Sequence, residues 1–228
     1  MIIQKILKNA LRENINSLRP AKVDKRDKAA IVFELGEREP SGDSIVERFR
    51  REGLQTYHKT LPATDISVDA ISGIYDQIQK DNFSIDAVIV VGSVGQEQSF
   101  LDIDVDELFS EWQQTCLSCF YIGQAAVTRM QPNKRGTVIF TSVADVLDPG
   151  IGRASIGSQG AGVRMLSQSL AREFGPHGIH VSHVVMGNDD ASSNNQGGIY
   201  WNLYQQNRTA WTQELIMNNQ RRLAEAHG

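Results

Sequence analysis

The chain has 228 residues, of which 40% are hydrophobic and 22% are charged, so its composition is that of an ordinary globular protein with one sizeable domain. The formal net charge of −4 at pH 7 gives no reason to expect nucleic acid as a partner. No apolar run is long enough to span a membrane, and the uninterrupted apolar core of a secretory signal is missing. We therefore expect a cytoplasmic protein.

The N-terminal segment, residues 1–28, is basic. It carries eight Lys or Arg against three acidic residues, a balance of +5, so the remaining residues sum to −9. Apolar residues recur at helical spacing from Ile2 to Leu18, and Pro20 ends the pattern. We predict an amphipathic helix that binds an acidic surface of its own body or of another subunit, with a transit peptide as the alternative.

From residue 29 onwards, segments typical of strands and of helices alternate along the chain. In chain order we predict strand 29–35, helix 43–53, strand 54–61, helix 67–81, strand 85–92, helix 104–130, strand 136–143, helix 160–175, strand 178–187 and strand 209–217. The alternation predicts a single α/β domain over residues 29–228, with a doubly wound parallel sheet covered on both faces. A ligand site is expected at the carboxyl ends of the strands.

The two cysteines, Cys116 and Cys119, fall within the predicted helix 104–130. A structural zinc site needs a second ligand pair, which the sequence does not contain. We therefore predict that both thiols are small packing residues on one face of that helix.

The stretches "GTVIFTSVAD" (136–145) and "GAGVRMLSQSLAREFGPHGIHVSHVVMG" (160–187) carry a family resemblance. They are similar to the fifth strand, the active-site helix and the sixth strand of the short-chain dehydrogenase/reductase family, and the resemblance extends over most of residues 29–217. It implies a Rossmann-like fold, an NAD(P)-dependent oxidoreductase ancestry, and assembly into oligomers through the helices 104–130 and 160–175 and the final strand.

The catalytic pattern of that family is incomplete here. Ser142 matches the serine that orients the substrate carbonyl, but the family's tyrosine and lysine positions fall on Ile156 and Gly160. No Tyr or Lys occurs anywhere between Lys134 and Tyr200, so the statement does not depend on the alignment. A positioned general acid is typically worth about 10²–10⁴ in rate, which these residues do not supply.

Other candidate groups near the catalytic positions are weak on sequence grounds. Thr115 stands where the family has a proton-relay asparagine. His180 and His183 lie on opposite faces of a predicted strand, and we interpret both as packing or surface residues rather than bases. From the sequence, Ser142 has no activating partner.

The phosphate-binding turn is also altered. Gly36 and Gly42 keep the outer glycine spacing of the family, whereas Pro40 replaces the middle glycine and removes one N–H donor. Three carboxylates and one cation crowd this turn: Glu37, Glu39, Asp43 and Arg38. A carboxylate here would satisfy the helix N-terminus from within the chain and repel a phosphate by roughly 1–3 kcal/mol.

A further deficit concerns the strands. Only 23 residues separate the predicted strands 54–61 and 85–92, so one helix–strand unit of the dinucleotide-binding half is missing. Gly92 begins the turn after the fourth strand of the family and remains a candidate cofactor contact. His58 and Lys59 could suit a 2′-phosphate, or could simply end an exposed strand.

Together these features favour a pseudoenzyme that serves as a structural or regulatory subunit, binds no cofactor, and pairs with itself or with an active relative. The alternative is a divergent NAD(P)-dependent oxidoreductase, which would need a proton donor such as Tyr121, Tyr200 or a partner chain. A changed chemistry on the same scaffold, such as a lyase or a ligand-binding protein, stays open. A C-terminal aromatic cluster is interpreted either as an interface or as the edge of the core: Tyr200, Trp201, Tyr204 and Trp211.

Overall fold

The computed structural model of the chain describes residues 27–36, 42–62, 66–92, 97–187 and 196–217. The predicted N-terminal helix lies outside the described residues, as do Glu37, Arg38, Glu39 and Pro40 of the altered turn.

Six parallel strands form one sheet in the order β2-β1-β3-β4-β5-β6. The strands are β1 (Asp27–Leu35), β2 (Gln55–Leu61), β3 (Phe83–Val91), β4 (Gly136–Val143), β5 (Ile179–Met186) and β6 (Glu214–Ile216). This is the predicted doubly wound, Rossmann-like sheet, whose direction of winding switches between β1 and β3. The described part of the connection from β2 to β3 holds one helix, so the sheet is one helix–strand unit shorter than the common Rossmann order, as predicted.

Within the described residues, six α-helices cover the sheet: α1 (Asp43–Arg51), α2 (Val68–Lys80), α3 (Val105–Trp112), α4 (Ser118–Met130), α5 (Ala154–Phe174) and α6 (Gln196–Tyr204). Strands β4 and β5 are buried along their whole lengths, because helices pack on both of their faces. One face packs on α2, α4 and α5 through residues such as Phe140 and Ile122. The other packs on α1 and α6 through Phe49, Tyr200 and Trp201.

The structure corrects the predicted elements at three places. Helix α5 begins at Ala154, six residues before the predicted start, because its first turns are polar and carry no apolar period. Helix α6 was not predicted, since it is buried among other elements and has no amphipathic stripe to reveal it. The last strand covers only Glu214–Ile216, and residues 208–210 form a 3₁₀ turn instead.

The predicted long helix 104–130 is one continuous rod with an irregular centre. Residues 113–117 form a single π-helical turn between α3 and α4. Cys116 and Cys119 are buried free thiols there, which confirms their prediction as packing residues. Burial raises the pKa of the Cys116 thiol to about 11.

The aromatic cluster belongs to the core of the chain. Tyr200 and Trp201 are almost fully buried, and the Trp201 ring meets Phe49 edge-on at 5.1 Å between ring centroids. Trp211 stacks on His180 at 5.0 Å. Among the described helices, none is long and apolar enough to cross a membrane.

Candidate functional site

The predicted cofactor-binding glycines meet at the carboxyl edge of the sheet. Gly36 follows β1 with a φ of +94°, a left-handed conformation that favours glycine, and its N–H donates to the Leu61 carbonyl at 3.2 Å. Gly92 follows β3, where a Cβ atom would lie 2.8 Å from the Thr141 carbonyl oxygen. The sequence therefore places Gly36 and Gly92 beside the switch point, where open α/β sheets bind ligands.

The N-terminus of α1 is held by a side chain of the sheet. Glu34, the one charged residue within the apolar part of β1, is buried and faces this helix end. Its Oε1 accepts a hydrogen bond from the Gly42 backbone N–H at 2.6 Å. A Cβ atom at Gly42 would lie 2.8 Å from the same oxygen, so a side chain here would push the carboxylate away from the backbone nitrogen.

Two further side chains complete this group. The other Glu34 oxygen, Oε2, lies 2.8 Å from His58 Nε2, and His58 Nδ1 lies 3.4 Å from Asp43 Oδ1. His58 is thus engaged within the chain, which favours the plainer of its two predicted interpretations over a 2′-phosphate contact. The three side chains tie β1, β2 and the first turn of α1 together.

A dinucleotide phosphate does not fit the described residues at this helix end. The Gly42 N–H, which faces the position where Rossmann-like proteins bind a phosphate, already donates to the Glu34 carboxylate. A phosphate placed there would meet the negative charges of Glu34 and Asp43 at short range. A described carboxylate does lie at this helix N-terminus, but it is that of Glu34, which the sequence analysis did not select.

Ser142 has a partner, contrary to the sequence prediction. Its Oγ lies 2.8 Å from Nε2 of His183, a residue with no solvent-exposed surface. Ser142 on β4 and His183 on β5 both face α5, whereas His180 faces the opposite side, as the strand parity predicts. His183 is therefore buried, as the first of its two interpretations predicted, and it is also a hydrogen-bond partner of the serine.

A carboxylate fixes the orientation of the His183 ring. Nδ1 of His183 lies 3.4 Å from Glu214 Oε2, and Arg164 binds both oxygens of Glu214 with a forked guanidinium contact. Because a carboxylate only accepts hydrogen bonds, Nδ1 carries the hydrogen in the neutral ring, and Nε2 accepts from the Ser142 hydroxyl. Burial lowers the pKa of His183, and the Arg164 contact lowers the pKa of Glu214.

The positions that correspond to the family's tyrosine and lysine are packed closed. Ile156 is buried, and a Cβ atom at Gly160 would lie 3.1 Å from Val146 Cβ and 3.7 Å from Ser142 Cβ. Helix α5 thus approaches Ser142 closely because Gly160 has no side chain. A lysine at this position would need Val146 to move.

A polar network fills the space on the other side of these positions. Thr115, in the π turn, donates to Gln159 Oε1 at 2.9 Å, and Gln159 Nε2 donates to Glu111 Oε2 at 2.9 Å. Ser155 donates to the same Glu111 oxygen at 2.7 Å. These contacts join α3, the π turn and α5. Thr115, at the family's asparagine position, therefore bonds to a side chain of the neighbouring helix.

The proton donors considered for a divergent oxidoreductase do not reach Ser142. Tyr200 lies on the opposite face of β4, where its hydroxyl is 2.8 Å from Thr141 Oγ1, and burial raises its pKa. The Tyr121 side chain packs against the core on the face of the sheet that Ser142 shares, but the two form no hydrogen bond among the described residues. Of the described ionisable groups, His183 is the one bonded to Ser142.

A separate groove of about 600 Å³ opens at the opposite, amino-terminal edge of the sheet. Its buried carboxylate, Asp86, accepts from Tyr204 at 2.6 Å and from Arg135 at 3.1 Å. These partners satisfy the carboxylate within the chain. No group of three potential metal ligands occurs among the described residues.

The residues that sequence reasoning missed share one signal. Glu34 and His183 are polar side chains at buried positions of strands. A buried polar group needs a partner, so each such residue marks a contact whose other half lies elsewhere. Their partners were named in the sequence analysis on other grounds, Gly42 for the glycine spacing of the family and Ser142 for its match to the family's serine.

Comparison with known proteins agrees with this architecture. Gluconate 5-dehydrogenase of Gluconobacter oxydans (strain 621H) is 28% identical over 157 residues, which are 67% of this chain and 59% of that enzyme. The chain therefore matches less than two thirds of the enzyme's length.

Solved structures share the fold. A short-chain dehydrogenase from Rhodopseudomonas palustris aligns with a TM-score of 0.73 at 23% identity, covering 83% of this chain and 98% of that one. A metagenomic short-chain oxidoreductase in complex with NADP aligns with a TM-score of 0.71 at 16% identity, covering 84% and 96%.

The family comparison extends over most of the chain. The sequence model of the short chain dehydrogenases matches residues 21–197, which include every described strand except β6. The parallel sheet, its switch point and this match agree, and the chain belongs to the short-chain dehydrogenase/reductase family.

Proposed function

We propose that this chain is a non-catalytic member of its family, a structural or regulatory subunit that binds no dinucleotide. The observation that carries the proposal is the Glu34 carboxylate at the N-terminus of α1, 2.6 Å from the Gly42 backbone nitrogen. In a dinucleotide-binding protein the pyrophosphate needs this helix end. Because the Glu34 carboxylate is part of the chain, it competes with a pyrophosphate for this helix end at every nucleotide concentration.

The catalytic positions support the same proposal. Ile156 cannot donate a proton, and Gly160 leaves no ammonium group to lower the pKa of a neighbouring acid or to bind a ribose. Close packing between Gly160 and Val146 stabilises the closed arrangement. The proposed loss therefore concerns the phosphate position and the proton donor at once, which a single compensating residue would not restore.

A structural subunit needs a surface for assembly, and the exposed side of α4 and α5 is our candidate. The two helices lie side by side, since a Cβ atom at Gly123 of α4 would lie 3.3 Å from Leu170 of α5. Phe120 and Met165 leave 48% and 52% of their surfaces exposed on these helices. We propose that a second copy, or an active relative, packs here in a cytoplasmic oligomer.

The test is thermal unfolding with and without millimolar NAD(H) or NADP(H). A ligand at 100 times its dissociation constant stabilises the folded state by about 2.7 kcal/mol, so binding raises the melting temperature. We expect no shift for this chain and a clear shift for the gluconate 5-dehydrogenase of Gluconobacter oxydans under the same conditions. A shift in the wild-type chain contradicts the proposal.

Substitution of Glu34 tests the cause. In Glu34→Gln the amide oxygen can still accept from Gly42, but the negative charge is gone, so we expect weak nucleotide binding to become measurable. Glu47→Gln is the matched control, because Glu47 is an exposed carboxylate further along α1. If both variants respond alike, Glu34 is not what excludes the phosphate.

The hydrogen bond between Ser142 and His183 favours a second candidate, a divergent oxidoreductase. Here the neutral imidazole of His183 would take up or return a proton through the Ser142 hydroxyl. A panel of carbonyl substrates with NAD(P)H tests this function. Hydride transfer that is lost in His183→Gln and kept in His177→Gln, at an exposed histidine, would establish it.

A further inference from the structure

Four large hydrophobic side chains are exposed together at the start of the long helical rod. Phe100, Leu101, Val105 and Phe109, here called the apolar patch, leave 74%, 90%, 74% and 59% of their surfaces exposed. Val105 and Phe109 are four residues apart, which places them on one side of α3. Phe100 and Leu101 lie in the short 3₁₀ turn that precedes α3 in the chain. Exposed apolar groups that lie together mark an interaction surface.

Carboxylates border the apolar patch. Asp102, Asp104, Asp106 and Glu107 are all exposed, and the sequence has no Lys or Arg from residue 81 to residue 128. Asp104 accepts from the backbone N–H groups of Asp106 and Glu107 and so begins α3. None of the four forms an ion pair with a cation of the described part of the chain.

The chain contains one segment with the complementary pattern, residues 2–18. In sequence it alternates apolar residues at helical spacing with Lys5, Lys8 and Arg12, whose separations of three and four residues put the cations on one side of a helix. The apolar face of such a helix matches the apolar patch, and its cationic side matches the carboxylates at the border of that patch.

We propose that residues 2–18 bind the apolar patch as an amphipathic helix, with Lys5, Lys8 and Arg12 against Asp102 and Asp106. In this arrangement the segment covers the exposed hydrophobic side chains, and its cations pair with the carboxylates that border them. This interaction goes beyond the absence of catalysis and does not depend on it, because none of the residues involved belongs to the site at the carboxyl edge.

The length of the chain permits this docking within one molecule. β1 begins at Asp27 at the amino edge of the sheet, and its nine residues span about 30 Å to the carboxyl edge, near which the apolar patch lies. Residues 19–26 can extend over roughly 26 Å, and a helix over residues 2–18 adds about 25 Å. The leader segment of a neighbouring copy could reach the same surface.

The test uses the full chain and a zero-length carbodiimide cross-linker, which joins lysine amines to carboxylates in direct contact. Mass spectrometry of the digested product should find Lys5 and Lys8 joined to Asp102, Asp106 or Glu107. Asp69 and Glu173 are the internal controls, because both are exposed carboxylates elsewhere on the surface. A mixture of ¹⁴N- and ¹⁵N-labelled chains shows whether the joined residues belong to one chain or to two, and either result supports the proposal.

Charge exchange provides the second arm. Asp102→Lys with Asp106→Lys removes two of the carboxylates that the reagent activates, so the informative readout is Glu107, which keeps its carboxylate. Its cross-links to Lys5 and Lys8 should fall by about fivefold or more, because the introduced positive charges repel the leader segment. Adding Lys5→Glu and Lys8→Glu to that variant should give cross-links again, now between the introduced amines at positions 102 and 106 and the introduced carboxylates at positions 5 and 8. All four substitutions are outside the described core, and a thermal melt verifies that the variants are folded.

Two results overturn the proposal. In the first, Lys5 and Lys8 join the carboxylates of Asp102 and Asp106 no more often than those of Asp69 and Glu173. In the second, the cross-links to Asp102, Asp106 or Glu107 come from lysines in the helices of another copy, and they persist when the charges of Lys5 and Lys8 are reversed.

Discussion

At the scale of single residues, a carboxylate lies at the N-terminus of α1, the first described helix. Glu34 reaches the N-terminus of α1 because Gly42 leaves room for it, and His58 holds its second oxygen. A negatively charged group at a helix N-terminus satisfies orphan N–H donors, which is the same physical role that a bound phosphate plays. Glu34 therefore satisfies a backbone N–H at this helix end from within the chain.

His183 is the second residue whose environment matters. It lies between the Ser142 hydroxyl and the Glu214 carboxylate, and Arg164 holds that carboxylate in turn. The chain of hydrogen bonds joins β4, β5, β6 and α5. Since burial lowers the pKa of His183, folding favours its neutral form and resists protonation.

We predict that His183 makes the chain sensitive to acid. The pKa of His183 is lower in the folded state than its unfolded value near about 6.5, so the unfolded state binds more protons below that pH. The contribution of His183 to the free energy of unfolding is therefore fully present above about pH 6.5, and it is lost as the pH falls towards the lower pKa of the folded state. Urea unfolding between about pH 7 and pH 5 should show a shallower decline in His183→Gln than in the wild type, by at most about 1.4 kcal/mol per pH unit.

His177→Gln is the control for this experiment, because His177 is exposed and lies in the turn before β5. It should follow the wild-type curve. Equal slopes for the wild type and His183→Gln would show that His183 is protonated as readily in the folded chain as in the unfolded one.

At the scale of elements, glycines set how closely the helices approach one another. A Cβ atom at Gly197 of α6 would overlap the Ser44 carbonyl oxygen of α1, so these helices pack backbone to backbone at this position. At Gly73 of α2 the corresponding space is open, with no atom within 4 Å. The two glycines have the same chemistry and opposite environments.

We predict opposite effects of alanine at these two positions. Gly73→Ala should stabilise the fold by about 0.5–1 kcal/mol, because alanine loses less backbone entropy in a helix and meets no neighbour. Gly197→Ala should destabilise it by roughly 1–3 kcal/mol, because α6 must move away from α1. Urea midpoints of the two variants and the wild type check both signs. A stabilising Gly197→Ala would mean that α6 is held less tightly than its contacts indicate.

At the scale of the whole molecule, the sheet is asymmetric about its switch point. Two strands, β1 and β2, lie on one side, and four lie on the other. The shorter side carries the N-terminus of α1 with the Glu34 carboxylate. The longer side carries the hydrogen bonds that join Ser142, His183 and Glu214. Exposed apolar side chains are concentrated on the α3, α4 and α5 side, where we propose that residues 2–18 bind beside α3 and that another chain packs on α4 and α5.

We predict that assembly depends on this outer side of α4 and α5. Phe120→Lys combined with Met165→Lys should lower the native mass towards that of a monomer, because two charges would have to be buried between copies. Val68→Lys is the control, since Val68 is 52% exposed on α2 and lies away from the proposed contact. Native mass spectrometry or light scattering measures the change. A wild-type chain that is already monomeric at working concentration contradicts the proposed assembly.

The sequence by itself determined the alternation of strands and helices, the missing helix–strand unit and the absence of Tyr and Lys between Lys134 and Tyr200. These features depend on period, length and composition, which local physics makes readable. Helix α6 escaped because buried helices lack an amphipathic stripe, and the start of α5 escaped because its first turns are polar.

Only the tertiary structure decided which polar groups meet. Ser142 and His183 are 41 positions apart, and Glu34 and Gly42 are eight apart across a turn. Side-chain periodicity assigns a residue to a face of the sheet, but hydrogen bonds of 2.6 to 2.8 Å depend on strand order and register, which set the neighbours on that face. For this reason the absence of Tyr and Lys between Lys134 and Tyr200 was visible in the sequence, whereas the Glu34 carboxylate at the N-terminus of α1 was not.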